Sequence, residues 1–319
     1  MNLIAALPIK GLLFTLVLIV QTHGLSVSIN LDPEPTWEAW KSHQGKVYAS
    51  ADVEQRHRKW WEENRGLVRE HNSRTDVTFT LELNDRADME PRPRPKEMQI
   101  NDIHIGSERL QFAPDSWDWR NKGAVSPVKN QGQLGDPQSI GAGECMESFH
   151  FIQTGQLLEL STAEVHDCCT QGGLAVPDIF TCIHNIGGLC SQSGYPMSQG
   201  SCKNSSCSAA AQVTGGQRVK SGDEDAMKTA VYGRPVLALV DASHASFQLY
   251  RSGIYSEPAC SPTRVDHALQ VVGYGSDGGK DYWICKNSWG KSWGMDGYIW
   301  IARNKGNMCG IASFVSFPV

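Results

Sequence analysis

Hydrophobic positions fall into three textures along the chain. Between Gly11 and Val20 lies an apolar run with Pro8 and Lys10 ahead of it and the polar Gln21, Thr22 and His23 behind it, before Gly24. That pattern predicts a cleaved signal peptide over residues 1–24. The run is too short to cross about 30 Å of hydrocarbon, and no later stretch is long enough, so no membrane span is expected. From Trp37 to Asn72 the chain is rich in charge and helix formers. Trp37, Trp40, Tyr48, Trp60, Trp61, Leu67 and Val68 recur at helical spacing, predicting a small module of amphipathic helices. Beyond it come short apolar runs, Val236–Val240 and Leu269–Tyr274 among them, interrupted by Gly233, Gly253, Gly273, Gly275, Gly278 and Gly279, which predict strands and turns. Between these textures, Gln138 to Thr154 is the strongest helical stretch, opened by Asp136 as N-cap and Pro137 at the first helical position.

The alternating prolines Pro91, Pro93 and Pro95 favour extended chain and mark a boundary between the helical module and the rest. Composition sharpens that division. All ten cysteines follow Phe112, and a secretory route would place them where disulfides form and persist. With a net charge of −5 and a pI near 6.1 there is no basic excess to suggest a nucleic-acid partner. The cysteines and histidines lack paired zinc-ligand spacing, so neither a metal nor another cofactor is expected.

Three separated segments carry the chemistry. Pro127-Val128-Lys129-Asn130-Gln131-Gly132-Gln133 precedes Val265-Asp266-His267-Ala268, and Lys286-Asn287-Ser288-Trp289-Gly290 closes the set. These resemble the glutamine, histidine and asparagine motifs of papain-like cysteine peptidases of the cathepsin L type. Asp115–Arg120 resembles a mature N-terminus, and Ser246–Tyr255 the segment ahead of the histidine. The helical module resembles the family's inhibitory propeptide: Trp61, Asn64, Val68 and Asn72 fall on one motif, Asn84 and Asp88 on a second. Val53 and His57 stand where the family has Glu and Arg, and Glu82 and Arg86 where it has Gly and Phe.

The resemblance implies an α+β, papain-like two-domain fold preceded by a propeptide over residues 25–112. The peptidase domain would cover 113–319, as a helical half (113–212) and a β-barrel-like half (213–319) with a cleft between them. In such an enzyme a thiolate attacks the peptide carbonyl and an imidazolium then protonates the leaving amine. His267 would be that imidazole, Asn287 would orient it, Trp289 would shield the pair, and Gln131 would donate to the oxyanion. Gly172 and Gly173 would pair with an extended peptide, and Ala238, Val265, Asp266 and Phe314 fall in or beside the main specificity pocket, which the bulk of Phe314 would shorten.

By the resemblance, the nucleophile belongs six residues after Gln131, and that position is Pro137. Proline has neither a thiol nor an N–H, so the nucleophile and one oxyanion donor disappear together. Ser139 and Cys145 do not replace it. At 100° per residue Ser139 points some 200° away from position 137, and Cys145 lies about 12 Å further along the helix. Cys145 reads as a small buried hydrophobe, and His267 with Asn287 as a pair retained because either alone would be unsatisfied.

By the same resemblance Cys260 pairs with Cys309 and Cys168 with Cys202, while Cys285 is a free buried thiol. Leu134 replaces a disulfide cysteine, leaving Cys169 without its usual partner, and Cys145, Cys169, Cys182, Cys190 and Cys207 have no assignable pairing. Asn204-Ser205-Ser206 is a glycosylation sequon. The expectation is a secreted or lysosomal, catalytically inactive homologue that binds a peptide or protein ligand, cystatin-like inhibitors among them, alongside its own propeptide. Two rival readings remain: a working cysteine endopeptidase whose true sequence differs over Leu134–Ser139, and a propeptide that inhibits related peptidases in trans.

Overall fold

The computed structural model describes residues 35–90, 113–132, 135–170 and 179–319. The expected signal peptide, the proline-marked boundary, Leu134, Gly172 and Gly173 lie outside the described residues.

In chain order the elements are α1 (Trp37–His43), α2 (Ala51–Ser73), β1 (Phe79–Leu81), β2 (Trp117–Asp118), α3 (Pro137–Thr154), α4 (Thr162–Val165), α5 (Ile179–Asn185) and β3 (Gly216–Arg218). They continue as α6 (Glu224–Gly233), β4 (Val236–Val240), α7 (Ala245–Gln248), β5 (Tyr250–Tyr255), β6 (His267–Asp277), β7 (Lys280–Lys286), β8 (Tyr298–Ala302) and β9 (Val315–Pro318). The strands form one sheet in the order β1-β5-β8-β7-β6-β4-β9-β3, with β2 beside β6. All pairings are antiparallel except β5 with β8.

Helices begin where side chains satisfy their first orphan N–H groups. Thr36, Ser50, Ser161 and Asp223 cap α1, α2, α4 and α6 through side-chain oxygens. Trp37, Trp40 and Trp61 bury as the helical stripe predicts, whereas Trp60 is half-buried, packed edge-on against His57. The asparagines of the propeptide motifs act as stitches between helix and following chain. Asn64 donates to the Ala87 carbonyl at 2.8 Å, and Asn72 exchanges bonds of 2.8 and 2.9 Å with Leu81. Asp88 is held by Lys46 Nζ at 2.9 Å, Tyr48 Oη at 2.8 Å and His57 Nδ1 at 3.2 Å, so the histidine standing where the family has Arg still faces this carboxylate.

Two cores organise the chain. One joins Trp37, Trp40, Trp61 and Phe79 of the N-terminal module to Phe247, Tyr250, Trp289 and Trp293 of the sheet region. The other lies between α3 and the opposite face of the sheet. The seam is tight: a Cβ on Gly141 of α3 would sit 2.6 Å from a Leu237 methyl, and one on Gly143 would sit 2.9 Å from Thr162. A side chain at either position would force its neighbour to shift, which offsets glycine's cost in a helix interior. The short strand Trp117–Asp118, near the start of the expected helical half, is hydrogen-bonded to β6 of the β half.

Candidate functional site

Helix α3 starts as its sequence demands. Asp136 caps it, its side chain accepting from the Ser139 N–H at 3.0 Å, and Pro137 occupies the first position, where no N–H is needed. Pro137 is buried. The Asp136 carboxylate also accepts from Ser139 Oγ at 2.6 Å, from His166 Nδ1 at 2.8 Å and from the Thr170 hydroxyl. Burial alone would push this carboxyl up, but hydrogen bonds from Ser139, Thr170 and His166 outweigh it and hold the group below its usual value. Ser139 is therefore committed to its own cap and to Thr170, not to His267. Cys145 is fully buried, and burial first, then the neighbouring Glu144, pushes its thiol well up, so it is no stand-in nucleophile.

Across the seam, β6 begins at His267, and Asn287 follows the end of β7. His267 Nε2 and Asn287 Oδ1 are 2.7 Å apart, both residues being buried. The Ser288 N–H also points to Asn287 Oδ1 at 2.8 Å, which identifies that atom as the amide oxygen. An amide oxygen only accepts, so in this bond the imidazole proton sits on Nε2. Trp289, fully buried, lies 4.8 Å from the His267 ring, centre to centre. The Gln131 carbonyl oxygen accepts from Ser288 Oγ at 2.8 Å and from Trp289 Nε1 at 3.1 Å. Its NH2 is the end left to donate. His267, Asn287, Trp289 and Gln131 are thus one hydrogen-bonded corner.

A buried charge network fastens α3 to that corner from behind. Lys286, next to Asn287, meets Glu144 at 2.7 Å and Ser126 Oγ at 3.1 Å, and both charged side chains are inside the protein. Glu147 accepts from Lys129 at 2.5 Å, from the Leu160 N–H at 2.9 Å and from Ser126. Burial pushes the Glu144 carboxyl up, and Lys286 and Lys129 draw it back without cancelling that effect. The sequence reading missed this network. Its only signal was Glu144 and Glu147, the two acidic residues of α3, one helical turn apart.

The proposed specificity-pocket residues divide between the cores. Val265 and Phe314 pack together with Leu237, Leu239 and Ala268 on the α3 side. Ala238 requires a correction: it sits in the other core, because alternate residues of a strand face opposite ways and β4 is buried on both faces. Leu239, whose N–H donates to the Phe314 carbonyl at 3.1 Å, is the β4 residue on that side. Asp266 accepts from the Ala242 N–H at 2.7 Å.

The disulfides are Cys168–Cys202, Cys260–Cys309, Cys169–Cys182 and Cys190–Cys207, with Cys145 and Cys285 free and buried. The first two match the expected pairs. Cys169, expected to lack a partner, has one in Cys182 on α5. Two groups of potential metal ligands, Glu164 with Cys190 and Cys207, and Asp241 with His244 and Cys260, rely on sulfurs already consumed in disulfides. Among the described residues, no helix is long and apolar enough to cross a membrane. Asn204 is exposed, its amide donating to the Ile186 carbonyl at 3.0 Å.

A model of the papain family cysteine proteases matches residues 113–319, and one of the cathepsin propeptide inhibitor domain matches residues 37–92. The chain belongs to the papain family. Procathepsin L of Rattus norvegicus is 39% identical over 307 residues, covering 89% of this chain and 91% of that one. Digestive cysteine proteinase 2 of Homarus americanus is 37% identical over 307 residues, covering 89% and 94%. Among solved structures, a recombinant stem bromelain precursor superimposes with a TM-score of 0.80 at 33% identity, covering 89% of this chain and 97% of that one. Digestive procathepsin L 3 of Tenebrio molitor gives 0.77 at 33% identity, covering 89% and 97%. This papain-family chain therefore has the papain-like α+β fold with its inhibitor-type propeptide, and it is cathepsin L-like.

Proposed function

We propose that this cathepsin L-like chain is a catalytically inactive member of its family, keeping the oxyanion and imidazole side of the site for binding and not for hydrolysis. The observation that supports this reading is Pro137 at the first position of α3, where the resemblance puts the nucleophile. Acyl transfer needs a thiolate there and a backbone N–H directed at the oxyanion, and proline supplies neither. His267 and Asn287 are then a buried pair held by their own hydrogen bonds, and Gln131 keeps an amide donor beside them.

What remains would take an extended peptide or an inhibitor of the cystatin type, with Val265, Leu239 and Phe314 meeting a side chain. In a secreted or lysosomal setting such a protein would sequester inhibitors from active relatives. The test is protein processed near Phe112, incubated with cathepsin L-type peptide substrates between pH 4 and 7 and titrated with a cystatin-type inhibitor by calorimetry. Binding without turnover is the expected result. Turnover blocked by a thiol-directed epoxide would refute the reading, and absence of binding would remove the sequestration role.

A further inference from the structure

Cys190 and Cys207, which matched no expected pair, meet beside a buried carboxyl. Cys190 follows the bridge between Leu189 and Ala211, and Cys207 follows the short turn Asn204–Ser206. Glu164 of α4 lies inside the protein, its N–H donating to the capping Ser161 Oγ at 3.0 Å. One oxygen of its side chain accepts from the Cys190 N–H at 2.8 Å, and the other lies 3.5 Å from the Cys190 sulfur. Among the described residues, no other carboxyl hydrogen-bonds a disulfide sulfur. The two sulfurs also differ in access. Cys190 is buried, whereas Cys207 is half-buried between the exposed Ser206 and Ser208.

We propose that Cys190–Cys207 is a thiol–disulfide exchange site for a low-molecular-weight monothiol, at which the thiolate attacks the Cys207 sulfur and Glu164 gives a proton to the departing Cys190 sulfur. A bond forms between the incoming sulfur and Cys207, the Cys190–Cys207 bond breaks, and its electron pair goes to Cys190, where the carboxyl proton neutralises it. A second thiolate then attacks the sulfur of the bound monothiol, releasing a disulfide of the two small thiols and leaving Cys207 as a thiolate. Two external thiols are oxidised, the protein's disulfide is reduced to two thiols, and the two protons the external thiols shed are regained by Glu164 and Cys207. Exchange is fastest where the attacked sulfur is accessible and the leaving sulfur is stabilised, and these two conditions fall on different ends of this one bond.

At Cys260–Cys309 a carboxylate is also near, but at the other end. Asp241 stands beside Cys260, the more accessible of that pair, where its charge would repel an incoming thiolate, and it already accepts from the Ser243 N–H at 3.0 Å, Ser243 Oγ at 2.6 Å and the Ser261 N–H at 2.8 Å. Burial pushes the Glu164 carboxyl up, against the pull of the Cys190 N–H, so it keeps its proton to higher pH than an ordinary glutamate. Its titratable neighbours are otherwise engaged. Asp167 accepts from Tyr195 Oη at 2.7 Å and from the Gln199 N–H at 2.6 Å, His166 faces Asp136, and Glu159 and Lys203 of the adjoining loops are exposed. Opening the bond leaves its surroundings tied. The Leu189 N–H donates to the Ala211 carbonyl at 2.8 Å, the Ala210 N–H to the Leu189 carbonyl at 2.7 Å, and Cys168–Cys202 holds the loop just ahead of Cys207.

The test exposes the full-length protein to glutathione between pH 5 and 8, quenches with acid, alkylates the free thiols and maps them by mass spectrometry. Cys190 and Cys207 should be the first pair to open, with the glutathione mixed disulfide on Cys207. Divided by the thiolate concentration, the opening rate should fall as pH rises through the folded pKa of Glu164, since the carboxylate has no proton to give. Glu164→Gln keeps an acceptor for the Cys190 N–H but lacks the acid proton, so it should open about 100-fold more slowly per thiolate at pH 5, with no dependence on pH. Opening of another disulfide first, a mixed disulfide on Cys190, or a Glu164→Gln rate and pH profile equal to those of wild type would each overturn the proposal. The order of opening and the site of the mixed disulfide are read on wild type alone, so they decide the matter whether or not the variant folds. None of these outcomes depends on whether the protein hydrolyses peptides.

Discussion

The two sides of the α3–sheet seam differ. On the α3 side, the position where the resemblance puts the nucleophile is proline, and the polar groups around it, Asp136, Ser139, His166 and Thr170, bond to one another. On the β side, His267, Asn287 and Trp289 keep a connected geometry, which Gln131 joins from the loop ahead of α3. The difference follows from what each side also does for the fold. A residue at the first turn of a helix can change as long as the cap is kept. A buried His–Asn pair beneath a buried tryptophan cannot lose one member without stranding the other in a medium that does not solvate it. The kept His267–Asn287 pair is thus accounted for by burial alone.

The largest effect expected is the absence of turnover. Loss of the nucleophile costs about 10⁶ in rate in serine-protease series, and a missing oxyanion donor about 10²–10³, without simple additivity. Hydrolysis of cathepsin L-type substrates above background would end the contrast between the two sides.

The buried network provides the next test. Lys286→Met would leave Glu144 inside the protein without its cation and should cost about 3–5 kcal/mol in denaturant unfolding. Glu144→Leu combined with Lys286→Met should recover most of that loss, since an apolar pair has no charge to desolvate. A single variant as stable as wild type would show that the network does not tie the two sides together.

Pro137→Cys sharpens the comparison by rebuilding the dismantled side. The new thiol would stand at a helix N-terminus and, by the resemblance, opposite His267, and both should pull its pKa below the free value of about 8.5. Alkylation at pH 6 should run about 10–100-fold faster than for a free thiol. Cys145 and Cys285 stay silent in this assay, because burial pushes both thiols up. Turnover should return only in part, since by the resemblance Gln138 still stands where the family has tryptophan and Leu134 where it has a disulfide cysteine. Alkylation at the rate of a free thiol would mean that His267 and Asn287 are not a competent pair.

The smallest effect concerns Asp136. Replacing it with alanine removes the cap and should cost about 1–2 kcal/mol at pH 7. Its folded pKa is depressed, so the stability it confers is present above the unfolded value of about 3.9 and is lost as pH falls through the folded pKa. The difference between wild type and Asp136→Ala should therefore shrink below about pH 4. A gap that stays constant down to pH 2 would assign the cap's value to shape and not to charge.

Much of this was legible along the chain. The start of α3 follows from the Asp136-Pro137 pair, because capping and a fixed φ are local properties. That position 137 offers neither thiol nor N–H follows from proline's covalent structure, and the closeness of His267 to Asn287 was expected from motifs that resemble the family's. Tertiary structure alone decided matters that depend on proximity between distant segments. Five cysteines admit many pairings, and only their positions in space join Cys169 to Cys182 and leave Cys145 alone. In an all-apolar strand buried on both faces the alternation carries no mark of which face meets which core, so Leu239 and not Ala238 turns toward Val265 and Phe314. Arg86 reads in sequence as a flaw in a propeptide motif, and only the folded chain, by laying it on Trp289, makes it a contact.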